Sequence, residues 1–277
     1  MLKKNLLMTV LLLFTIGLFA QKSIDFSIFE KRQYEKNGVV LPYRIMYPEQ
    51  MKKGEKYPLV LMLHGMGRCG NDNEGQLNLG GTMFMNKDNR NNFPCIVIYP
   101  QAPKTTPFVR VNEEGGDLPG GWQKFDKEGI KSKGLSVELS EYGEMAFELV
   151  EQLRKSKNVD NQRIYIAGVS MGAFTTYQLI AKHPDVFAAA ITICGATPLN
   201  CVEEWGNKVP IWIFHGEKDK VVPVDAARGV YDKLEKMGVE NYKYTEYENM
   251  GHGIWGKVFA EPEFLQWLFM FKKYHID

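Results

Sequence analysis

Five residues constrain this chain more than any other stretch: Gly168-Val169-Ser170-Met171-Gly172. They stand where one periodicity gives way to another. From Arg163 to Ala167, Ile164 and Ile166 alternate with Tyr165 and Ala167, the pattern of a short buried strand. From Ala173 to Ala181 the pattern turns helical and runs out near His183-Pro184, where proline stops a helix. A tight strand-to-helix turn exposes a serine Oγ and needs small residues on either side. G-x-S-x-G also arises by chance at turns, so the rest of the chain must supply the context. A serine hydroxyl is a weak nucleophile at neutral pH. It requires a base, a carboxylate that orients the base, and donors for the oxyanion.

The pattern around this turn is one of alternating strands and helices. Residues 24–34 and 39–47 read as two strands joined near Asn37-Gly38, an antiparallel entry to a sheet. Tyr57–Leu63 is a continuous apolar run that suits a central strand buried on both faces. Cys95–Tyr99, Ala188–Cys194 and Val209–His215 read as further buried strands, and Tyr242–Tyr247 alternates like an outer one. Leu139–Leu153, Val224–Lys236 and Pro262–Phe271 read as helices, the last with proline in its first turn. The expected fold class is α/β, a mostly parallel central sheet with antiparallel N-terminal strands and helices on both faces. Residues 103–134, rich in Gly, Pro and charge, read as one long irregular loop.

The base is chosen among five histidines. His64 precedes the serine and reads as a structural residue that fixes a turn. His183 reads as the cap of the helix after the serine, its ring positive against the helix dipole. His215 ends a strand, and His275 lies near the C-terminus. His252, in "ENMGHGIW", sits on a Gly-flanked loop after the last strand, where a base reaches over the strand ends. The acid belongs on the loop after the preceding strand, in "FHGEKDKVVP". Asp219 is the choice there. Glu217 reads as a brace for the turn and Asp225 as a first-turn partner of the next helix dipole. One oxyanion donor is the N–H of Met171, after the nucleophile. The other comes from "HGMG", with Met66 first and Gly67 second. This chemistry needs no cofactor.

Gly168–Gly172, His64–Gly67, "HGEKDKVVP" and "MGHGIW", in this order over residues 57–271, resemble the α/β-hydrolase superfamily. "LHGMGRCGND" and "YPQAP…GGW" are similar to secreted carboxylesterases near the feruloyl esterases, acetylxylan esterases and polyhydroxybutyrate depolymerase-like proteins. Arg68 and Cys69 depart from the usual spelling of that branch. The resemblance implies an α/β-hydrolase fold, a Ser170–His252–Asp219 triad, and a substrate-binding tryptophan such as Trp122 beside the acyl or alcohol pocket.

The start of the chain has the layout of an export signal. Lys3 and Lys4 precede an apolar run from Leu6 to Phe19, and Ala20 offers a cleavage point before Gln21. That run is shorter than the ~20 residues of a spanning helix. The expected division is a signal peptide over 1–20 and a single domain over 21–277, secreted or periplasmic after cleavage, with no integral membrane association. A net charge of +1 gives no field for nucleic acid. Four cysteines contain no CxxC or His/Cys pattern, so no metal is expected; Cys194 and Cys201 are near enough in sequence to pair. The expected activity is hydrolysis of acyl or aromatic esters on small-molecule or polysaccharide-linked substrates. The alternative is a serine peptidase of the prolyl-oligopeptidase type, for whose large extra domain the short stretch before Tyr57 leaves no room. A non-enzymatic binding module on the same fold would have dropped a triad member.

Overall fold

A computed structural model describes residues 24–113, 116–117 and 136–273. The strands are β1 (Glu30–Lys36), β2 (Val39–Met46), β3 (Tyr57–Leu63), β4 (Ile96–Pro100), β5 (Val109–Glu113), β6 (Gly116–Asp117), β7 (Ser136–Leu139), β8 (Val159–Val169), β9 (Ala189–Ile193), β10 (Ile211–Gly216) and β11 (Tyr242–Tyr247). The helices are α1 (Gly81–Met85), α2 (Lys87–Asn92), α3 (Glu141–Leu153), α4 (Met171–Lys182), α5 (Val202–Trp205), α6 (Val224–Lys236), α7 (Trp255–Val258) and α8 (Phe264–Phe269). Eight strands form one sheet in the order β1-β2-β4-β3-β8-β9-β10-β11. β1 and β2 enter antiparallel, and from β4 to β11 every pairing is parallel.

The apolar runs of the central strands follow from burial on both faces. In β3, Leu59, Leu61 and Leu63 point into one core, with Phe174 and Tyr177 of α4 and Val230 of α6. Val60 and Met62 point into the other, with Phe84 of α1 and Phe264 and Leu268 of α8. Strand alternation, period two, therefore sorts one unbroken apolar sequence into two separate cores. β11 lies at the edge, and its side chains are all half-buried.

Several boundaries differ from the sequence reading. The first strand begins at Glu30, since Phe26 and Phe29 turn inward as core residues before it. β8 starts at Val159, four residues early, because "DNQR" carries no apolar alternation although it is extended. The last helix begins at Phe264, two residues beyond Pro262. The segment 103–134 is not wholly irregular: β5 pairs with β6 and β7 in a small antiparallel sheet. The Gly- and Asn-rich stretch 75–92 folds into short helical turns that no periodicity announced. Cys69, Cys95, Cys194 and Cys201 are all free, so Cys194 and Cys201 do not pair. No helix among the described residues is long and apolar enough to cross a membrane.

Candidate active site

The carboxyl ends of β3, β8, β10 and β11 converge on one edge of the sheet, where ligands bind in parallel α/β folds. Ser170 closes β8 and opens α4, with φ 53° and ψ −117°. A residue with a Cβ holds such a conformation only when its surroundings enforce it. Here the Ser170 N–H donates to the Ile193 carbonyl at 2.8 Å, and the Ser170 carbonyl accepts from Ala173 N–H at 2.8 Å. The flanking glycines are demanded by space. A Cβ on Gly168 would lie 2.1 Å from the Gly172 carbonyl oxygen, and one on Gly172 would lie 2.2 Å from that of Leu63.

His252 follows β11 on a loop tied to the one after β10. The Glu217 carboxylate accepts from Asn249 N–H at 2.6 Å, and Lys218 N–H donates to the Met250 carbonyl at 2.7 Å. Glu217 is thus the brace of the pair of loops. The tie brings His252 Nε2 to 2.9 Å from Ser170 Oγ and His252 Nδ1 to 2.7 Å from Asp219 Oδ2. Three residues read from separate parts of the sequence meet in one line.

Asp219 is fully buried at its side chain. Its Oδ1 accepts from Val221 N–H at 2.8 Å and Val222 N–H at 3.0 Å. Its Oδ2 lies 3.3 Å from His215 Nε2. That nitrogen is also 2.9 Å from the Val222 carbonyl, so it carries a proton and donates. Burial acts to raise the Asp219 carboxyl. The hydrogen bonds from His215, His252 and Val222 N–H outweigh it and hold the group far below the ordinary carboxylate range. Cys194 Sγ, His215 and Asp219 are the buried donors that stand together here, within 4.8 Å of one another. The hydrogen bonds already made by the carboxylate and by His215 Nε2 leave this cluster a brace for the acid rather than an open ligand set.

His64 is buried at the end of β3. Its Nε2 accepts from Ala102 N–H at 3.0 Å, which leaves Nδ1 to donate to the Gly65 carbonyl at 2.9 Å. Burial lowers its pKa from 6.5 to about 4, so the ring is neutral and pins the turn that carries Gly65 and Met66. His183 is the C-cap residue of α4, but its ring stacks on Phe147 at 3.5 Å, and burial lowers its pKa. The expected positive ring at the helix end gives way to a neutral one packed on an aromatic face.

A cavity of about 560 Å³ opens over Ser170, lined by Met66, Gly67, Arg68, Leu79, Met171, Val221, His252 and Trp255 among others. Met171 is the first residue of α4 and Met66 the first of a short helical turn. A first-turn N–H has no partner within its own helix, and neither one donates to a carbonyl among the described residues. Trp122 lies outside the described residues. The tryptophan that the structure places at the site is Trp255, its ring at 85° to that of His252 with centroids 6.0 Å apart. Sequence reasoning missed Trp255, Leu79, Val221 and His215. Only Trp255 carried a signal, three positions after His252 in "HGIW".

Comparison with known proteins agrees with this architecture. The family model for phospholipases and carboxylesterases matches residues 49–267. An acyl-protein thioesterase 1 of Candida albicans is 23% identical over 201 residues, 70% of this chain and 84% of the relative. A bifunctional acetylxylan esterase/xylanase of Neocallimastix patriciarum is 24% identical over 172 residues, 62% of this chain but 21% of that protein. The solved structure of a thermostable esterase superposes with a TM-score of 0.76 at 31% identity, covering 89% of this chain and 64% of that one. The chain belongs to the phospholipase/carboxylesterase family of the α/β-hydrolase superfamily, and is a serine hydrolase of the carboxylesterase type.

Proposed function

We propose that this protein is a secreted serine carboxylesterase that cleaves acyl or aromatic esters of carbohydrate-derived alcohols through an acyl-enzyme on Ser170. The observation that carries the chemistry is the pair of contacts at His252, 2.9 Å to Ser170 Oγ and 2.7 Å to Asp219 Oδ2. An ionised carboxylate can only accept, so Nδ1 holds the ring proton and Nε2 is left as the base. Nε2 takes the proton of Ser170 as Oγ attacks the ester carbonyl. Asp219, deep in its hydrogen bonds, stabilises the imidazolium that forms. The N–H groups of Met66 and Met171 receive the oxyanion, where one such donor typically contributes ~2.7–4 kcal/mol. His252 then protonates the leaving alcohol; it next takes a proton from the water that attacks the acyl carbonyl and returns it to Ser170 Oγ as the acid leaves.

Export rests on Lys3, Lys4 and the apolar run to Phe19. The carbohydrate side rests on the likeness to an acetylxylan esterase. A fluorophosphonate should label the wild type and leave Ser170→Ala unlabelled. That variant should fold and lose on the order of 10⁶ in kcat on p-nitrophenyl acetate, as loss of the serine costs another serine hydrolase. Wild-type turnover by Ser170→Ala would remove the assignment. A panel of matched oxygen esters, thioesters and peptides reads the bond cleaved, and the proposal requires the oxygen esters to be fastest.

A further inference from the structure

A second cavity, about 470 Å³, shares Trp255 with the one that opens over Ser170. Trp255 lines both cavities, and neighbouring residues of one segment serve them in turn, Leu79 the first and Gly80 the second. We infer that this second cavity is the binding site for a neutral sugar, the alcohol half of the ester, with Trp255 as the shared wall between sugar and scissile bond. The inference rests on the esterase reading above and gives the carbohydrate-derived alcohol of that reading a place in the fold.

The direction follows from the chemistry. The leaving oxygen must be protonated by His252 Nε2, so the alcohol sits on the His252 side of the scissile bond. The aromatic ring packed against His252 is Trp255. On this inference, an alcohol larger than methanol runs along Trp255 to the second cavity, which the same ring lines.

The cavity's chemistry selects the alcohol. Trp255 and Phe259 supply aromatic surface, which suits the C–H face of a pyranose. The rest of the lining supplies hydrogen-bonding groups, each with capacity left over. Asn86 spends its side-chain oxygen on Asp88 N–H and Asn89 N–H, so its amide NH₂ remains. Asn89 spends its NH₂ on the Met83 carbonyl at 2.9 Å, so its side-chain oxygen remains. Glu261 Oε1 accepts from the Tyr247 hydroxyl at 2.5 Å, leaving Oε2, and the Thr82 hydroxyl has no side-chain partner among the described residues. Donors and acceptors beside aromatic rings match vicinal hydroxyls, which both donate and accept. No Lys or Arg lines the cavity among the described residues, so it offers nothing to a phosphate or uronate. An alkyl alcohol would leave the polar wall unmatched.

Gly256 gives a clean way to close it. A Cβ there would meet nothing within 4 Å among the described residues, so Gly256→Trp grows into the open cavity without displacing backbone. Thr82→Tyr closes it from another part of the lining, and melting curves show that each variant folds. Xylobiose binding to Ser170→Ala is read by calorimetry, alone and combined with either blocking change. The ratio of kcat/KM for O-acetylated xylobiose to that for ethyl acetate is read in the Ser170 background. The expected result is that each blocking variant weakens xylobiose and lowers the ratio about tenfold or more, the loss of one or two good hydrogen bonds. Unchanged xylobiose binding, or equal losses on both esters, would overturn the sugar site while leaving the esterase reading intact. Loss of xylobiose binding in the blocked variants, with no ester turned over by wild type, would support the site and sink the reading.

Discussion

His215 Nε2 divides its proton between the Val222 carbonyl at 2.9 Å and the Asp219 carboxylate at 3.3 Å. Its ring is fully buried, and its Nδ1 has no partner among the described residues. A buried histidine with one nitrogen unsatisfied calls for an explanation, and the contacts of its other nitrogen supply one. We expect His215→Phe to lower kcat about tenfold with KM little changed, the scale of one hydrogen bond lost to a charged group. His215→Gln, which keeps a donor, should recover part of that loss. A purely structural role would instead move KM and melting temperature together and gain nothing from glutamine. The site was readable in the sequence wherever an order along the chain constrained it. Ser170, Asp219 and His252 each follow a strand in a fixed succession, and Asp219 was separable from Glu217 by the apolar "VVP" beyond it. His215 was not readable, because its partner is fixed only by how the β10 loop folds back. Trp255 was overlooked for the same reason: three positions from His252, its facing depends on the turn before α7.

The turn between β8 and α4 works as a single element because three backbones meet there. Gly172→Ala would drive a methyl to 2.2 Å from the Leu63 carbonyl, forcing α4 away from β3. We expect a loss of about 1–3 kcal/mol, as for overpacking elsewhere, with a fall in kcat because Met171 N–H and Ser170 Oγ move with the helix. Gly67→Ala, whose Cβ would meet nothing within 4 Å among the described residues, should melt as wild type does. Equal melting of Gly172→Ala and wild type in a thermal scan would show that the elbow has slack. The elements read cleanly in sequence were those whose period runs unbroken, namely β3, β11 and α6. Those misread were short or polar. The extension of β8 back to Val159 is held by pairing of Val159 with Tyr57, a tertiary contact with no local trace. The small sheet of β5, β6 and β7 likewise exists only through pairing between distant residues.

At the scale of the whole molecule, parallel strands alternating with helices were legible, and so was the sheet edge that gathers the site. The division of the interior into two cores was not, since an unbroken apolar run does not say which neighbours each face meets. The interior also stores a pH dependence. His64 is buried and neutral between Ala102 and Gly65, with its pKa lowered from 6.5 to about 4. A depressed histidine binds its proton more readily in the unfolded chain. Its contribution is therefore complete above pH 6.5 and is lost as pH falls toward 4. At 1.36 kcal/mol per pH unit, that loss is about 3 kcal/mol. Asp219 acts in a lower window, because a depressed carboxyl loses its contribution only below the ordinary value of 3.8. His183 is shifted the same way as His64 but belongs to α4 and is present in both proteins compared. Urea unfolding at pH 7, 5.5 and 4.5 should show wild type losing stability steadily, while His64→Gln starts lower at pH 7 and falls less steeply. Parallel slopes in the two proteins would mean that the acid sensitivity resides in groups other than the buried histidine at the end of β3.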